Sequence, residues 1–186
     1  MIALRSVLLP ALFLVASIAP TPSLPRDAGE GREAAHGFDF LFGEWRVHHR
    51  LKRASGEWWE FDGTATNRAL MGGASNVEEH IFTKPSGTTY GVALRAYDAQ
   101  QNQWSIWWLD SRSMSGPLQA PNVGRFENGV GQFYAEFTDN GKTIRSRLKW
   151  SDITATSARW EQAYSYDGGK TWDTNWVMVF ERKTSG

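Results

Sequence analysis

The segment Glu44–Thr83, EWRVHHRLKRASGEWWEFDGTATNRALMGGASNVEEHIFT, contains three short runs of alternating character separated by turn-forming residues. Within Glu44–Lys52, Trp45, Val47, His49 and Leu51 fall on one face of an extended chain, and Arg46, His48 and Arg50 on the other. Successive side chains of a strand point to opposite faces, so a period of two predicts strands where a helix would need 3.6. The runs Glu57–Leu70 and Ala74–Thr83 follow RASG and MGG, connections of hairpin character.

The same rhythm continues through Thr88–Asp98, Gln103–Asp110, a short piece at Val123–Gly129, Gly129–Asp139, Lys142–Ser151, Ser157–Tyr166 and Thr171–Arg182. DAQQNQ and DNGK supply turn chemistry between them, and DFLF at Asp39–Phe42 has room for one helical turn. About ten sequential strands with no long helix predict an all-β fold. A meander of this length exposes two edges unless it closes, so a single up-and-down antiparallel β-barrel is expected, ahead of a sandwich. The linker Ser111–Asn122 is long enough to cross the barrel mouth or act as a lid.

A chain of 186 residues fits one domain. Twenty basic and twenty acidic residues cancel, which removes the electrostatic footprint of a nucleic-acid or anionic-membrane partner. Ten Trp, ten Phe and five Tyr provide core area in bulk, and the lack of Cys excludes disulfides and thiolate metal sites. Residues 1–20 read as a signal segment: Arg5 precedes the apolar run Val7–Pro20, which is too short and too broken by Pro10 for a membrane span. Residues 21–37 read as a flexible lead-in and 38–183 as the barrel. A secreted or periplasmic protein with no stable membrane span after processing is therefore expected.

Three sets of residues carry resemblances. SYDGGKTW, Ser165–Trp172, is similar to the Asp box of sialidases and other propellers, but a single copy implies a hairpin lock and no propeller. Gly43, Glu44 and Trp45 form the G-x-W that opens the first strand of lipocalins, and the Phe-Leu lead-in is similar to nitrobindin-like barrels. Together with WSIWW, SARWEQAYSYDGGKTW and NWVMVFER, the stretch Phe38–Arg182 resembles bacterial lipocalin-like, calycin-type domains of unassigned activity. That resemblance implies a barrel with a small-molecule cavity. Nitrobindin-like proteins hold haem on a His late in the barrel, whereas His36, His48, His49 and His80 all lie in the first half here, so no cofactor is expected.

Polar residues on otherwise apolar strand faces are the candidate site. Arg95 shares a face with Gly91, Ala93 and Tyr97; Asp110 with Trp104, Ile106 and Trp108; Gln162 lies between Trp160 and Tyr164; Glu78 and His80 lie between Asn76 and Phe82. Arg147 is on the face opposite Ile144, Leu148 and Trp150. One reading has Glu78, His80, Arg95, Asp110, Arg147 and Gln162 converging among Trp108 and Trp160 on the polar or anionic end of an aromatic ligand. The other has them as a structural network, with Arg95 or Arg147 paired to Asp110 or Glu78. A proton-transfer enzyme using Asp110, Glu78, Glu161 or His80 in the same cavity is the competing function. Glu78, His80 and His49 are competent metal ligands, but His48 and His49 diverge in a regular strand and no metal is expected.

Overall fold

The computed structural model describes residues 34–115 and 117–184 and shows ten antiparallel strands closed into one barrel. The strands are β1 (Gly43–Lys52), β2 (Trp58–Leu70), β3 (Ser75–Lys84), β4 (Gly87–Asp98), β5 (Gln103–Asp110), β6 (Asn122–Glu127), β7 (Val130–Asp139), β8 (Lys142–Ser151), β9 (Ser157–Ser165) and β10 (Asp173–Arg182). Each pairs with its neighbours in sequence, and β1 closes on β10 with Val47 opposite Phe180. The up-and-down barrel read from the alternation is the observed fold. The signal segment and most of the lead-in lie outside the described residues, among which no helix is long and apolar enough to cross a membrane.

Alternation sets the faces. Trp45, Val47 and His49 of β1 are buried while Arg46, His48 and Arg50 are exposed. On β8, Ile144, Ser146, Leu148 and Trp150 are buried, with the intervening basic side chains more open to solvent. Phe38, Phe133 and Phe180 are wholly buried; full burial of such a side chain stabilises the fold by roughly 1.5–3 kcal/mol.

One end of the barrel is plugged. A 3-10 turn at Asp39–Leu41, where a single helical turn is expected, places Phe38 5.0 Å from the Trp104 ring and 4.9 Å from Phe126, both edge to face. Ala34–Gly37 also dock here, the Trp104 indole donating to the Ala34 carbonyl at 2.9 Å. Arg182, at the end of β10, donates to the carbonyls of Phe40 (2.6 Å), Phe42 (2.6 Å) and Ala155 (2.7 Å). Its guanidinium lies 4.2 Å from the centre of the Trp45 ring.

The opposite end carries the linker and the β9–β10 turn. In that turn one Asp167 oxygen accepts from the backbone N–H groups of Lys170 (3.0 Å) and Thr171 (2.9 Å) and from the Ser165 hydroxyl (2.8 Å). The other accepts from the Thr171 hydroxyl at 2.7 Å, and Trp172 donates to the Gly169 carbonyl at 3.1 Å. The linker leaves Met114 and Leu118 exposed to solvent. On that side the wall is incomplete: β6 pairs with β5 only through Trp104–Ile106, leaving Trp107–Asp110 without a partner on β6.

Candidate functional site

A cavity of about 110 Å³ lies inside the barrel beside the aromatic plug. Glu78 and His80 of β3, Arg95 of β4, Trp108 of β5, and Trp160 and Gln162 of β9 all line it. Strand register brings them together. Glu78 pairs with Ala93, which pairs with Trp108, while Arg95 sits one inward step away between Asn76 and Ile106. Across the lumen, Trp150 pairs with Trp160 and Trp160 with Met178; Leu148 pairs with Gln162 and Gln162 with Trp176.

Electrostatics centre on Arg95, which is 3% exposed. One terminal nitrogen donates to a carboxylate oxygen of Glu78 and the other to the Asn76 amide oxygen at 3.0 Å. The guanidinium also lies 4.8 Å from the Phe38 ring centre, so the plug covers the ion pair. Burial alone would raise the Glu78 carboxyl, but the charges of Arg95 and His80 outweigh it and hold Glu78 well below the usual carboxylate range. His80 Nε2 lies 3.3 Å from Glu78 Oε1, poorly aligned for a hydrogen bond. Four polar atoms on cavity-lining residues have no hydrogen-bond partner: Glu78 Oε1, His80 Nδ1, Arg95 Nε and Trp150 Nε1.

An aromatic layer stands between this cavity and the far end. Trp176 meets Trp160 edge-on at 5.5 Å and Trp108 at 6.4 Å. Trp108 fits because Gly91 faces it: a Cβ there would stand 2.3 Å from the indole. A tryptophan thus fills the space beside Gly91, which shares a face with Arg95. Beyond the layer, His49 stacks on Phe61 at 4.6 Å and accepts from the Trp176 indole at 3.4 Å. Burial, assisted by the charges of His80, His48 and Lys84, pushes His49 down to about 3, so its ring is neutral at pH 7.

Two candidates fall outside the cavity. Asp110 occupies the last position of β5, two residues past Trp108, where Arg112 folds back and donates to it at 2.8 Å. That pairing holds the Asp110 carboxyl low, against a smaller opposing effect of burial. Arg147 lies between inward-facing Ser146 and Leu148, so strand alternation puts it on the outer wall, where its guanidinium covers Trp172 at 4.7 Å. Glu161 is also outside, bonded by Arg159 at 2.8 Å with Lys149 at 3.7 Å.

The structure adds residues that the strand faces did not single out. Asn76 is wholly buried and holds Arg95; Asn122 at the start of β6 donates to the Ser146 hydroxyl at 2.6 Å. Trp150, Trp176 and Met178 complete the wall. Nothing local in the sequence marked them as bordering space instead of packed atoms. Among the described residues no three His, Asp or Glu side chains are grouped to hold a metal ion.

No family model and no curated protein matches the chain. Its fold is similar to that of the S-type phycobiliprotein lyase CPES from Guillardia theta, with TM-score 0.57, 12% identity, and 87% of this chain and 100% of that chain covered. It is also similar to Rv2717c from M. tuberculosis, with TM-score 0.55, 10% identity, and 81% and 98% covered. At such identities the likeness is one of fold, a closed antiparallel barrel.

Proposed function

We propose that the barrel binds a small, partly apolar molecule in its lumen and serves as a carrier, sensor or scavenger outside the cytoplasm. The observation that carries this is the cavity itself, a largely aromatic pocket with a few buried polar groups, the usual construction of a small-molecule site. Its volume of about 110 Å³ sets the scale of the ligand. Drug-sized ligands occupy pockets of roughly 300–1,000 Å³, whereas an apolar cavity of about 150 Å³ takes benzene. The ligand is therefore at most a single ring in size. The apolar segment before Pro20 and the resemblance of Phe38–Arg182 to bacterial lipocalin-like domains support export to the periplasm or medium. A proton-transfer enzyme has less support, because Glu78 is held ionised by Arg95, Asp110 is bonded to Arg112, and Glu161 faces outward.

Ala93 gives the direct test, since it lines the cavity between Glu78 and Trp108 on neighbouring strands. Native mass spectrometry of protein recovered from its host should find one small compound retained and an N-terminus shortened near residue 20. Ala93→Phe fills the cavity and should abolish that retention while the far-ultraviolet circular dichroism of the barrel persists, at a cost of about 1–3 kcal/mol for overpacking. Undiminished retention in a folded Ala93→Phe barrel would place the ligand elsewhere.

A further inference from the structure

The polar atoms of the cavity wall describe the ligand more closely than its volume does. Glu78, His80, Arg95 and Trp150 are each at most 3% exposed, and each has one polar atom that makes no hydrogen bond, Glu78 Oε1 having only the 3.3 Å contact with His80 Nε2. Such groups cost a folded protein as much as a lost hydrogen bond unless something satisfies them. Their chemistry is not interchangeable. Arg95 Nε and Trp150 Nε1 can only donate, and Glu78 Oε1, on a carboxylate bonded by a guanidinium, accepts. His80 Nδ1 takes either role according to its tautomer.

Charge adds a second restriction. Arg95 and Glu78 neutralise one another, and the other lining residues are His80, amides and apolar side chains. An anion would bring an unpaired buried charge or have to pull Arg95 from Glu78, and breaking such a pair is strongly unfavourable. A plain hydrocarbon would leave all four atoms unmet. Resting on the reading of this cavity as a ligand site, we propose that it selects an uncharged single-ring molecule carrying a hydrogen-bond donor beside an acceptor, as in a cyclic amide. The N–H or O–H meets Glu78 Oε1, and the carbonyl oxygen meets Arg95 Nε or Trp150 Nε1.

The test titrates the full chain with 2-pyridone, benzene and benzoate, each built on one six-membered ring. Isothermal calorimetry and the fluorescence of Trp108, Trp150, Trp160 and Trp176, all in the cavity wall, report binding. The expected order is 2-pyridone at least about tenfold tighter than either benzene or benzoate. Glu78→Gln leaves Arg95 uncompensated and should turn the preference towards benzoate. Because a lone buried charge endangers folding, Trp150→Phe is the second variant: it keeps a ring and removes the donor, and should weaken 2-pyridone relative to benzene by about three- to tenfold. Benzene or benzoate binding as tightly as 2-pyridone overturns the ligand class and leaves the cavity as a binding site. Failure of all three to bind overturns the binding site as well.

Discussion

His49 shows what one side chain contributes when a barrel buries it. Its ring is wholly buried, and protonation would place a charge between Phe61 and Phe82 with His80, His48 and Lys84 nearby. The folded value of about 3 lies below the ordinary 6.5, so the unfolded chain takes up a proton in this interval that the folded chain refuses. The stability associated with His49 is therefore complete above pH 6.5 and falls as the pH drops towards 3, by up to about 1.4 kcal/mol per unit. Glu78 has the same sign in a lower window. Its stabilising ionisation is present above 4.5 and is lost only as the pH falls through its depressed folded value. Between pH 6.5 and 4.5 the histidine acts alone of the two, so urea midpoints measured from pH 7 to pH 5 should decline in the native protein and less so in His49→Phe. Equal slopes would remove His49 as the cause.

At the scale of an element, the β9–β10 hairpin is secured by Asp167, which gathers four donors from within its own turn. These bonds hold its carboxyl below the ordinary range even though it is exposed to solvent. Asp167→Ala should lower the thermal midpoint by a few degrees in calorimetry and leave the affinity of the cavity for 2-pyridone unaltered, since the turn contributes no lining residue. Lost binding at an unchanged midpoint would contradict that role. SYDGGKTW was legible as a lock because every bond that Asp167 accepts joins residues four or fewer apart, a range that a linear motif can encode. Asp110 was not legible in this way. Its face was read correctly as that of Trp108, but the strand ends at Asp110, and the carboxylate turns to Arg112 where the wall gives way to the linker.

For the whole molecule the decisive joint is between the first and last strands, β1 and β10. Gly43 enters β1 with a φ of 108°, a left-handed conformation open to glycine, and a Cβ there would stand 3.0 Å from the Arg182 guanidinium. The space it leaves lets Arg182 reach the plug carbonyls and cover Trp45. Arg182→Ala strands three carbonyls and uncovers the plug, and should cost about 2–3 kcal/mol in urea unfolding. A change below a few tenths of that would show that β1–β10 pairing closes the barrel unaided.

The sequence by itself determined an all-β meander of about ten strands, their order and its closure, and it named six residues that line the cavity without deciding which strand faces meet the lumen. It did so because alternation and turn chemistry act between residues a few positions apart. Tertiary structure alone decided which inward groups meet. Arg95 pairs with Glu78 and not Asp110, Arg147 is left on the outer wall against Trp172, and Trp150 and Trp176 border a space instead of filling it. Those outcomes depend on register and on how ten strands curve around a common lumen, and that geometry exists only once β1 has closed on β10.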